Sequence, residues 1–561
     1  MDVISNIINE ARANRVMLYI RDGQLAFVAE EGRFPDELRF RIGKYREEIR
    51  RALLRGQPEE APRAGYPPSQ QSEDSTHPES EESFGLTPTI ARVQEILWPV
   101  RNYDSALLFQ VPAGLTQDVL LAVLQTVLDH HDMLRLQVTD ENGAWKLRVR
   151  AKKSVAAAES LRRVEIAGVT GADRARVLLA ESDKAQSWLD PFAGRIVRAI
   201  WFDSGRTAPG ALALIINHLA MDGMSWPVLT ADLKAAYESL GDEAIPNLSV
   251  KGTSYRQWSE LLSVEANRPE RARELSYWEQ VLAKGGELLP ECRLNGDTTN
   301  ESGRLTIHLP ASVATPLLTA VPAIFGTSSN DILLAALALA ANDWRAQRGV
   351  NDRALVVDVN GHGREEMFPG VTLSSTVGWF TTLYPVRLDP GAVNAIDLAR
   401  AVNAIRSQLR TAPDHGIGYG LLRYLNPETA PKLRALGRPQ VSFNYMGVWG
   451  VRPGDEMPGD DWSMLSPDVF AASPRENGSE VHSLPKEPWP LEHFLFITVA
   501  AVEMKEGLKL KADIGWAARF LGENEVRSLA DAWFDILRRF AALHRGDAAS
   551  SPTQRFAAPA F

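Results

Sequence analysis

One histidine stands where an apolar run of strand length gives way to a polar segment. The run Ala211–Ile216 is wholly apolar, and Asn217, His218, Asp222 and Gly223 follow it closely. A buried strand that ends in a loop presents side chains to a substrate on a rigid scaffold. An imidazole there can accept a proton near neutral pH or hydrogen-bond a developing tetrahedral centre. The pattern therefore predicts that His218 is catalytic.

The neighbours of His218 are predicted to orient it. We expect Asp222 to fix the loop by pairing with an arginine, although the sequence does not say which arginine. Gly223 permits a backbone geometry or a close approach that a Cβ would obstruct. A lone histidine beside a core strand is more often structural than catalytic, so this short pattern needs support from the rest of the chain.

The elements that must position His218 follow from hydrophobic periodicity. Directly after the motif, Leu229 and Leu233 supply the buried face of a helix for which Ser225 is the expected N-cap. Strand-like runs and amphipathic helices alternate from residue 84 to about residue 543. This alternation predicts a mixed α/β fold with two lobes, 84–270 and 271–545, and a flexible tail over 546–561.

The N-terminal residues predict a separate small unit. The β-prone runs Val16–Ile20 and Leu25–Val28 flank Asp22-Gly23, which is a strong hairpin signal. Helical patterns on both sides complete an αββα unit over residues 1–56. Residues 57–83 are rich in Pro, Ser, Gln and Glu and have few aliphatics, so we expect a disordered linker there.

The second helix of this unit is strongly basic. Its charges predict a docking surface for an acidic peptide, although a solvated helix face is the commoner meaning of a charge run. The residues concerned are Arg39, Arg41, Lys44, Arg46, Arg50 and Arg51.

Composition excludes several other classes of protein. The chain has 561 residues, a net charge of −10 and a pI near 5.6, which argues against broad nucleic-acid binding. No membrane-length apolar run or signal peptide is evident, so we expect a cytoplasmic protein that does not bind membranes and works as a monomer. The single cysteine, Cys292, excludes an intramolecular disulfide. His130 and His131 lack an evident carboxylate at ligand spacing, so no metal is expected.

The motif around His218 resembles that of the condensation superfamily of nonribosomal peptide synthetases. Asn217–Trp226 is similar to the motif His-His-x-x-x-Asp-Gly, with Asn217 in place of the first histidine and His218 matching the catalytic second one. Further segments resemble, in order, the epimerization branch of this superfamily: Asp129–Arg135, Thr253–Trp258, Asn360–Glu365, Thr376–Phe380, Gly416–Gly420 and Ser442–Tyr445. The resemblance covers nearly the whole chain.

This resemblance implies a fold and a set of partners. The fold would be two chloramphenicol-acetyltransferase-like lobes in a V-shaped pseudo-dimer, with the histidine inside a tunnel. The substrate would arrive as a thioester on the phosphopantetheine of a carrier protein, and no cofactor would be tightly bound. The N-terminal unit resembles the β-hairpin docking domains of hybrid polyketide–peptide systems. That likeness implies an upstream acyl or peptidyl carrier protein with an acidic C-terminal tail.

One departure from the epimerization pattern bears on the reaction. In epimerization domains a glutamate precedes Gly-His-Gly-Arg, whereas this chain has Asn360 there. An amide cannot accept and return a proton at neutral pH, and inversion needs two proton-handling groups. We therefore expect acyl transfer to an alcohol or amine acceptor. The resemblance to stand-alone condensation enzymes with a docking domain further implies ester formation and chain release. Epimerization despite Asn360 and a non-catalytic scaffold for carrier proteins are the second and third hypotheses.

The remaining candidate residues have competing interpretations. We expect His362 and Arg364 either to orient Asn360 or to form a salt bridge at the lobe junction. Trp379 is assigned to the tunnel lining or the core, because such aromatic residues usually supply buried area. By resemblance Asn444 and Ser254 are assigned to the substrate or tunnel, although a buried asparagine that satisfies backbone groups is an equally common arrangement.

Overall fold

The structure is a computed structural model, and it describes residues 17–21, 24–28 and 83–545. The last range has gaps at 242–247, 284, 291, 295, 366, 392–396, 450–460, 466–487 and 505–506. The chain forms two compact units, residues 1–75 and residues 76–561.

The first unit contains the predicted hairpin. Strands β1 (Met17–Arg21) and β2 (Gln24–Val28) pair antiparallel, from Met17 opposite Val28 to Arg21 opposite Gln24. This register confirms the hairpin that Asp22-Gly23 predicts. The flanking helices, nearly all of the linker, the six basic docking residues and the tail 546–561 lie outside the described residues.

The first half of the second unit is built on a four-stranded sheet. This half contains six strands in all: β3 (Asp104–Val111), β4 (Leu136–Glu141), β5 (Ala144–Val149), β6 (Leu161–Glu165), β7 (Val197–Asp203) and β8 (Gly210–Asn217). The sheet has the order β3-β8-β7-β6, and β4 and β5 form a separate pair. Strand β8 is buried along its whole length, which explains why its sequence is apolar throughout instead of alternating.

Helices surround this sheet and connect it to the second half. They are α1 (Pro88–Glu95), α2 (Gln117–His130), α3 (Ala157–Ser160), α4 (Gly171–Trp188), α5 (Ser225–Gly241), α6 (Tyr255–Ala266), α7 (Pro269–Ala272) and α8 (Leu275–Val281). Leu178 and Ala185 on α4 pack on Ile200 and Ala213 of the sheet, so α4 covers one of its faces. Helix α5 begins three residues after Asp222, close to the predicted start.

The second half contains a six-stranded sheet and a larger core. The strands are β9 (Ser302–Leu309), β10 (Leu355–Gly361), β11 (Thr382–Leu388), β12 (Val441–Trp449), β13 (Leu495–Met504) and β14 (Gly507–Ala517), in the order β11-β10-β12-β13-β14-β9. The helices are α9 (Ala311–Leu318), α10 (Ala320–Phe325), α11 (Ser329–Ala346), α12 (Leu398–Arg410), α13 (Ile417–Gly420), α14 (Ala430–Ala435) and α15 (Glu523–Ala542).

Helix α11 is the centre of this core. Every residue from Ile332 to Ala341 is buried, and α15 packs with it against the sheet through Trp533 and Phe540. A helix that is apolar on all sides belongs in a protein interior. The two sheets fall on either side of residue 270, as the predicted lobes require, while the lobe boundary itself stays a prediction.

The helices were also compared with the length and apolar composition that crossing a bilayer requires. In the ranges that the structure describes, no single helix is long and apolar enough to cross a bilayer. The segments Ala311–Phe325 and Ser329–Ala346 pass a test of length and composition only as a pair, with a bend of 96° between them.

Candidate active site

His218 begins a short 3₁₀ turn directly after strand β8. Its backbone N–H donates a hydrogen bond to the carbonyl of Tyr103, 2.8 Å away, at the start of the neighbouring strand β3. The turn His218–Ala220 then leads through Asp222 to helix α5. His218 is therefore anchored at the end of the buried strand β8, which the sequence predicts, and beside the start of its partner strand β3.

Asn217 fixes the start of this turn. It is fully buried, its Nδ2 donates to the carbonyl of Val100 at 2.7 Å, and its Oδ1 accepts from the N–H of Leu219 at 3.1 Å. One amide can satisfy a carbonyl and an N–H at once, because it carries both a donor and an acceptor. Asn217 thus holds the backbone that carries His218, and its orienting role in the reaction stays a prediction.

Aromatic rings enclose the imidazole. The ring of Tyr103 stacks on His218 with centroids 4.6 Å apart and planes 14° apart, and the ring of Trp379 lies 4.6 Å away at 57°. Trp98 and Trp489 pack behind Tyr103, at centroid distances of 5.1 and 5.4 Å. We call Trp98, Tyr103, Trp379 and Trp489 the aromatic cluster; of its members, only Trp379 was among the predicted site residues.

This enclosure determines which atom of His218 a substrate can reach. The side chain is half-buried and its Nδ1 is shielded from solvent. We therefore expect Nε2 to be the nitrogen that faces a substrate. Burial raises the pKa of the neighbouring Tyr103 to about 12, so that hydroxyl stays protonated near neutral pH. Tyr103 thus faces the imidazole as a neutral ring.

Arg364 is the arginine that pairs with Asp222. Its Nη2 lies 3.0 Å from Oδ1 of Asp222, and the two side chains are only 8% and 3% exposed. The same carboxylate accepts from the N–H and hydroxyl of Ser225 at 3.1 and 2.9 Å, and its Oδ2 accepts from the N–H of Phe380 at 3.1 Å. The predicted salt bridge therefore joins the loop after His218 to a segment 142 residues away.

The ion pair also positions Trp379. Arg364 donates to the carbonyls of Leu373 and Thr376 at 2.5 and 2.8 Å, and its guanidinium lies 4.2 Å over the ring of Phe380. With Asp222 bonded to the N–H of Phe380, the backbone on the C-terminal side of Trp379 is fixed. This network places the Trp379 ring against His218.

Ser225 does not act as the predicted N-cap. It is the first residue of α5, and its hydroxyl donates to Asp222 and bonds the backbone of Gly378 at 3.2 Å. The side chain that accepts from the helix N-terminus is that of Asp222, three residues earlier. The prediction was wrong because a carboxylate fixed by a distant arginine was already in reach of the first helical N–H.

Two motif glycines differ in what surrounds them. Gly363 has φ +68°, and a Cβ there would overlap the carbonyl oxygen of Phe380, so only glycine allows this approach of the two segments. By contrast, Gly223 is exposed in the turn before α5, and the close approach predicted for it stays a prediction.

Asn360 and Asn444 lie on two adjacent parallel strands, Asn360 near the end of β10 and Asn444 within β12. Val359 on β10 pairs with Phe443 on β12, and both side chains face the core, so the next residues, Asn360 and Asn444, follow side by side on the opposite face. Both are half-buried. The position that holds glutamate in epimerization domains thus presents an amide beside a second amide, and their contact with substrate stays a prediction.

His362 and Ser254 are used in local structure. The His362 side chain is 57% exposed; its Nδ1 accepts from the N–H of Arg364 at 3.0 Å, and its Nε2 lies 3.5 Å from Glu365. Ser254 is the N-cap of α6 and accepts from the N–H of Gln257 at 3.2 Å in a capping box. The structure therefore gives Ser254 a capping role, and its predicted substrate contact stays untested.

A carboxylate that the sequence spacing did not reveal lies beside the two adjacent histidines, while the expectation that no metal binds stays a prediction. Asp232 on α5 brings its Oδ2 to 2.9 Å from Nε2 of His131, and one ligand-type atom each from His130, His131 and Asp232 lie within 4.8 Å of one another. Ser249 donates its N–H and hydroxyl to Asp232 at 2.7 and 2.8 Å. Burial opposes ionisation, but the hydrogen bonds from His131 and Ser249 outweigh it and lower the pKa of Asp232. His130, His131 and Asp232 thus connect the C-terminal end of α2 to α5.

Comparison with protein families identifies the class of this protein. A model of the Condensation domain matches residues 100–464, and a model of the TubC N-terminal docking domain matches residues 4–53. The first match covers more than half of the chain, so the chain belongs to the condensation-domain family. Its members are acyltransferase-type enzymes that act on carrier-bound substrates, which confirms the predicted enzyme class at that level.

Curated relatives place this family membership among peptide synthetases. The chain is 32% identical over 354 residues to surfactin synthase subunit 2 of Bacillus subtilis (strain 168), which covers 62% of this chain and 9% of that protein. It is 33% identical over 355 residues to the chondramide synthase cmdD of Chondromyces crocatus, again covering 62% and 9%. The chain therefore spans less than a tenth of the length of these relatives.

Solved structures confirm the predicted fold class. The epimerization domain from the third module of tyrocidine synthetase B matches with a TM-score of 0.68 and 25% identity, over 84% of this chain and 99% of that one. A structure described as the molecular basis for condensation domain-mediated chain release from the enacyloxin polyketide synthase matches with a TM-score of 0.59 and 17% identity, over 100% and 98%. The mixed α/β, chloramphenicol-acetyltransferase-like fold of condensation domains is thus established.

Proposed function

We propose that this chain transfers an acyl group from a phosphopantetheine thioester on a carrier protein to an alcohol or amine acceptor. The product we expect is an ester, which releases the acyl chain from the carrier. One observation carries the proposal: a single imidazole with a reachable Nε2 stands in an aromatic enclosure, while position 360 holds an amide. One base suffices for acyl transfer, whereas inversion at a carbon needs two proton-handling groups.

The proposed reaction balances with His218 alone. As the acceptor oxygen attacks the thioester carbonyl carbon, its proton passes to Nε2 of His218 and a carbon–oxygen bond forms. The carbon–sulfur bond then breaks, and the departing sulfur takes the proton from the imidazolium. A positioned general base contributes roughly 10²–10⁴-fold to such a step.

The aromatic cluster has a specific task in this reaction. Its rings keep bulk water from the imidazole, and water would otherwise compete with the acceptor for the thioester. They also hold the imidazole in one orientation, because Tyr103 stacks on it and Trp379 borders it. Both effects favour transfer to the acceptor over hydrolysis.

The proposed donor is an upstream carrier protein bound through the N-terminal unit. The match of residues 4–53 to a docking-domain model supports this partner. Chain release as the outcome is supported by the likeness to the condensation domain that releases the enacyloxin chain, which aligns over the full length of this chain. We expect the acidic tail of the carrier protein to bind Arg39, Arg41, Lys44, Arg46, Arg50 and Arg51.

Epimerization is the second candidate, because this chain matches the epimerization domain of tyrocidine synthetase B with a TM-score of 0.68 and 25% identity. Against it stands Asn360, which lacks the proton-exchanging carboxylate.

One experiment separates these reactions. The full chain is incubated in D₂O with an acyl-loaded and, separately, an aminoacyl-loaded carrier protein, with and without alcohols and amines, and all species are weighed by mass spectrometry. We expect free ester or amide product that needs an acceptor, and no deuterium at Cα. Deuterium at Cα without acyl loss would establish epimerization instead. The absence of both transfer product and deuterium would favour a non-catalytic scaffold.

A further inference from the structure

Two adjacent histidines and a buried carboxylate meet where helix α2 ends. We call His130, His131 and Asp232 the His–His–Asp group. The side chains of His131 and Asp232 are only 4% and 2% exposed, and His130 is half-buried. One ligand-type atom from each residue lies within 4.8 Å of the other two. Such a set of side chains at such a spacing is a candidate metal site.

The contact between His131 and Asp232 is close but poorly aligned for a hydrogen bond. Nε2 of His131 lies 2.9 Å from Oδ2 of Asp232, yet neither atom has a hydrogen-bond partner of good geometry, and both are shielded from solvent. In a hydrogen bond the nitrogen points at the oxygen, whereas two ligands of one ion each point at the ion beside them. The arrangement of these two atoms therefore suits a shared cation better than a shared proton.

The other hydrogen bonds of the group hold its members in place. The N–H and the hydroxyl of Ser249 donate to Oδ1 of Asp232 at 2.7 and 2.8 Å, which leaves Oδ2 for another partner. The carbonyl of Ser249 accepts from Nε2 of His130 at 3.0 Å. Histidines and carboxylates that bind metals usually make such outer hydrogen bonds, which fix their orientation.

The three side chains favour zinc over other common ions. Two imidazoles and a carboxylate are ligands that zinc takes, at bond lengths of about 2.0–2.2 Å. Ligand atoms around a tetrahedral zinc are then about 3.3 Å apart, so His131 and Asp232 need to separate by only about 0.4 Å. Calcium and magnesium prefer oxygen ligands alone. The carbonyl of Ser249 or a water molecule would complete the four ligands.

The local charges also suit a cation. Among the described side chains, no lysine or arginine pairs with Asp232. The ammonium of Lys251, whose charge acts on His130, lies 3.2 Å from Asp132 and is thus paired outside the group. A buried carboxylate is costly without a compensating charge, and a divalent ion supplies that charge.

We propose that the His–His–Asp group binds one zinc ion, which ties the end of α2 to α5. Helix α5 follows the turn that carries His218, so the ion stabilises the scaffold of that turn and takes no part in the reaction. The proposal departs from the sequence-based expectation of no metal. That expectation rested on local spacing, and Asp232 is far from the histidines in sequence.

Zinc titration of the full chain tests this proposal. The chain is dialysed against EDTA and titrated with zinc chloride by isothermal titration calorimetry, and thermal unfolding is followed with and without the ion. We expect one zinc per chain and a higher Tm with zinc, because an ion that binds only the folded chain stabilises it. With Co²⁺ in place of zinc, we expect the visible absorption of a four-coordinate ion.

Substitutions locate the ion. Asp232→Asn keeps an oxygen for Ser249 but removes the anionic ligand, and it should weaken zinc binding by more than about 100-fold, because even outer partners of a metal site contribute about 10- to 100-fold. Asp358→Asn is the matched control and should bind zinc like the unaltered chain. Asp358 and His493 are also buried and 2.9 Å apart, but no third ligand joins them among the described residues. His218→Ala should also keep zinc binding.

Each outcome supports or overturns the proposal. Failure of the unaltered chain to bind one zinc would overturn it, and so would equal zinc affinity of Asp232→Asn. Loss of binding in His218→Ala would place the ion at that imidazole instead and would also overturn it. If Asp232→Asn does not fold, His130→Gln, at a half-buried position, should show the weaker binding, and unchanged affinity there would count against the site. These readouts do not involve acyl transfer, so they are independent of the proposed function.

Discussion

Removing the carboxylate of Asp222 should be among the most damaging single changes in the large unit. Asp222→Ala takes the acceptor from Arg364, from both donors of Ser225 and from the N–H of Phe380. Arg364, only 8% exposed, would keep its charge and lose its anionic partner. Breaking a buried ion pair on one side costs about 3–5 kcal/mol, so we expect a loss of that size in the free energy of unfolding.

Urea unfolding followed by tryptophan fluorescence measures this loss. A double-mutant cycle with Arg364→Met should give a coupling energy of about 1–3 kcal/mol, because the two side chains share one network. The control is Glu523→Ala, which removes the exposed pair of Glu523 and Arg527, whose side chains are 63% and 47% exposed. That change should cost less than about 1 kcal/mol.

Activity should fall together with stability. Because Asp222 holds the backbone beside Trp379, its loss should move the ring off His218 and lower the transfer rate even where the variant is fully folded. An unfolding free energy for Asp222→Ala within error of that for Glu523→Ala would refute this reasoning, and so would unchanged transfer by the folded variant.

Further changes test the support of the site. Asn217→Ala should cost about 2–6 kcal/mol by urea unfolding, since it leaves a buried carbonyl and a buried N–H unsatisfied at about 1–3 kcal/mol each; a cost under about 0.5 kcal/mol would contradict the orienting role. Trp379→Ala should cost about 3–5 kcal/mol and slow transfer, while Trp379→Phe should keep most of both; equal rates for the two variants would argue against ring packing. Gly416→Ala should prevent folding, because a Cβ would overlap the ring of Tyr384, whereas Gly437→Ala, at φ +81° in open space, should cost only about 1 kcal/mol; soluble, stable Gly416→Ala would contradict this packing.

Local sequence patterns predicted the elements that carry the site. The buried strand β8, the start of α5 and the hairpin of the first unit each follow from residues that are adjacent in sequence. Periodicity of 2 or 3.6 residues and turn chemistry are local properties, so a single sequence is sufficient for them.

Contacts between distant residues could not be predicted in the same way. Nothing near His218 in the sequence shows that Tyr103 would stack on it, or that Arg364 would be the partner of Asp222. Asp232 was missed as the partner of His131 for the same reason, since α2 and α5 meet only in the folded chain. A sequence signal existed for Arg364, because it lies in one of the motifs that carry the resemblance.

Single-turnover transfer by His218→Ala shows whether this imidazole is the base that activates the acceptor. His362→Ala is the control, because that histidine is 57% exposed and belongs to the same site region. With an acyl-loaded carrier protein and an active acceptor, mass spectrometry should show a rate about 10²–10⁴-fold lower for His218→Ala and little change for His362→Ala. A folded His218→Ala variant that releases product at the rate of the unaltered chain would contradict the account.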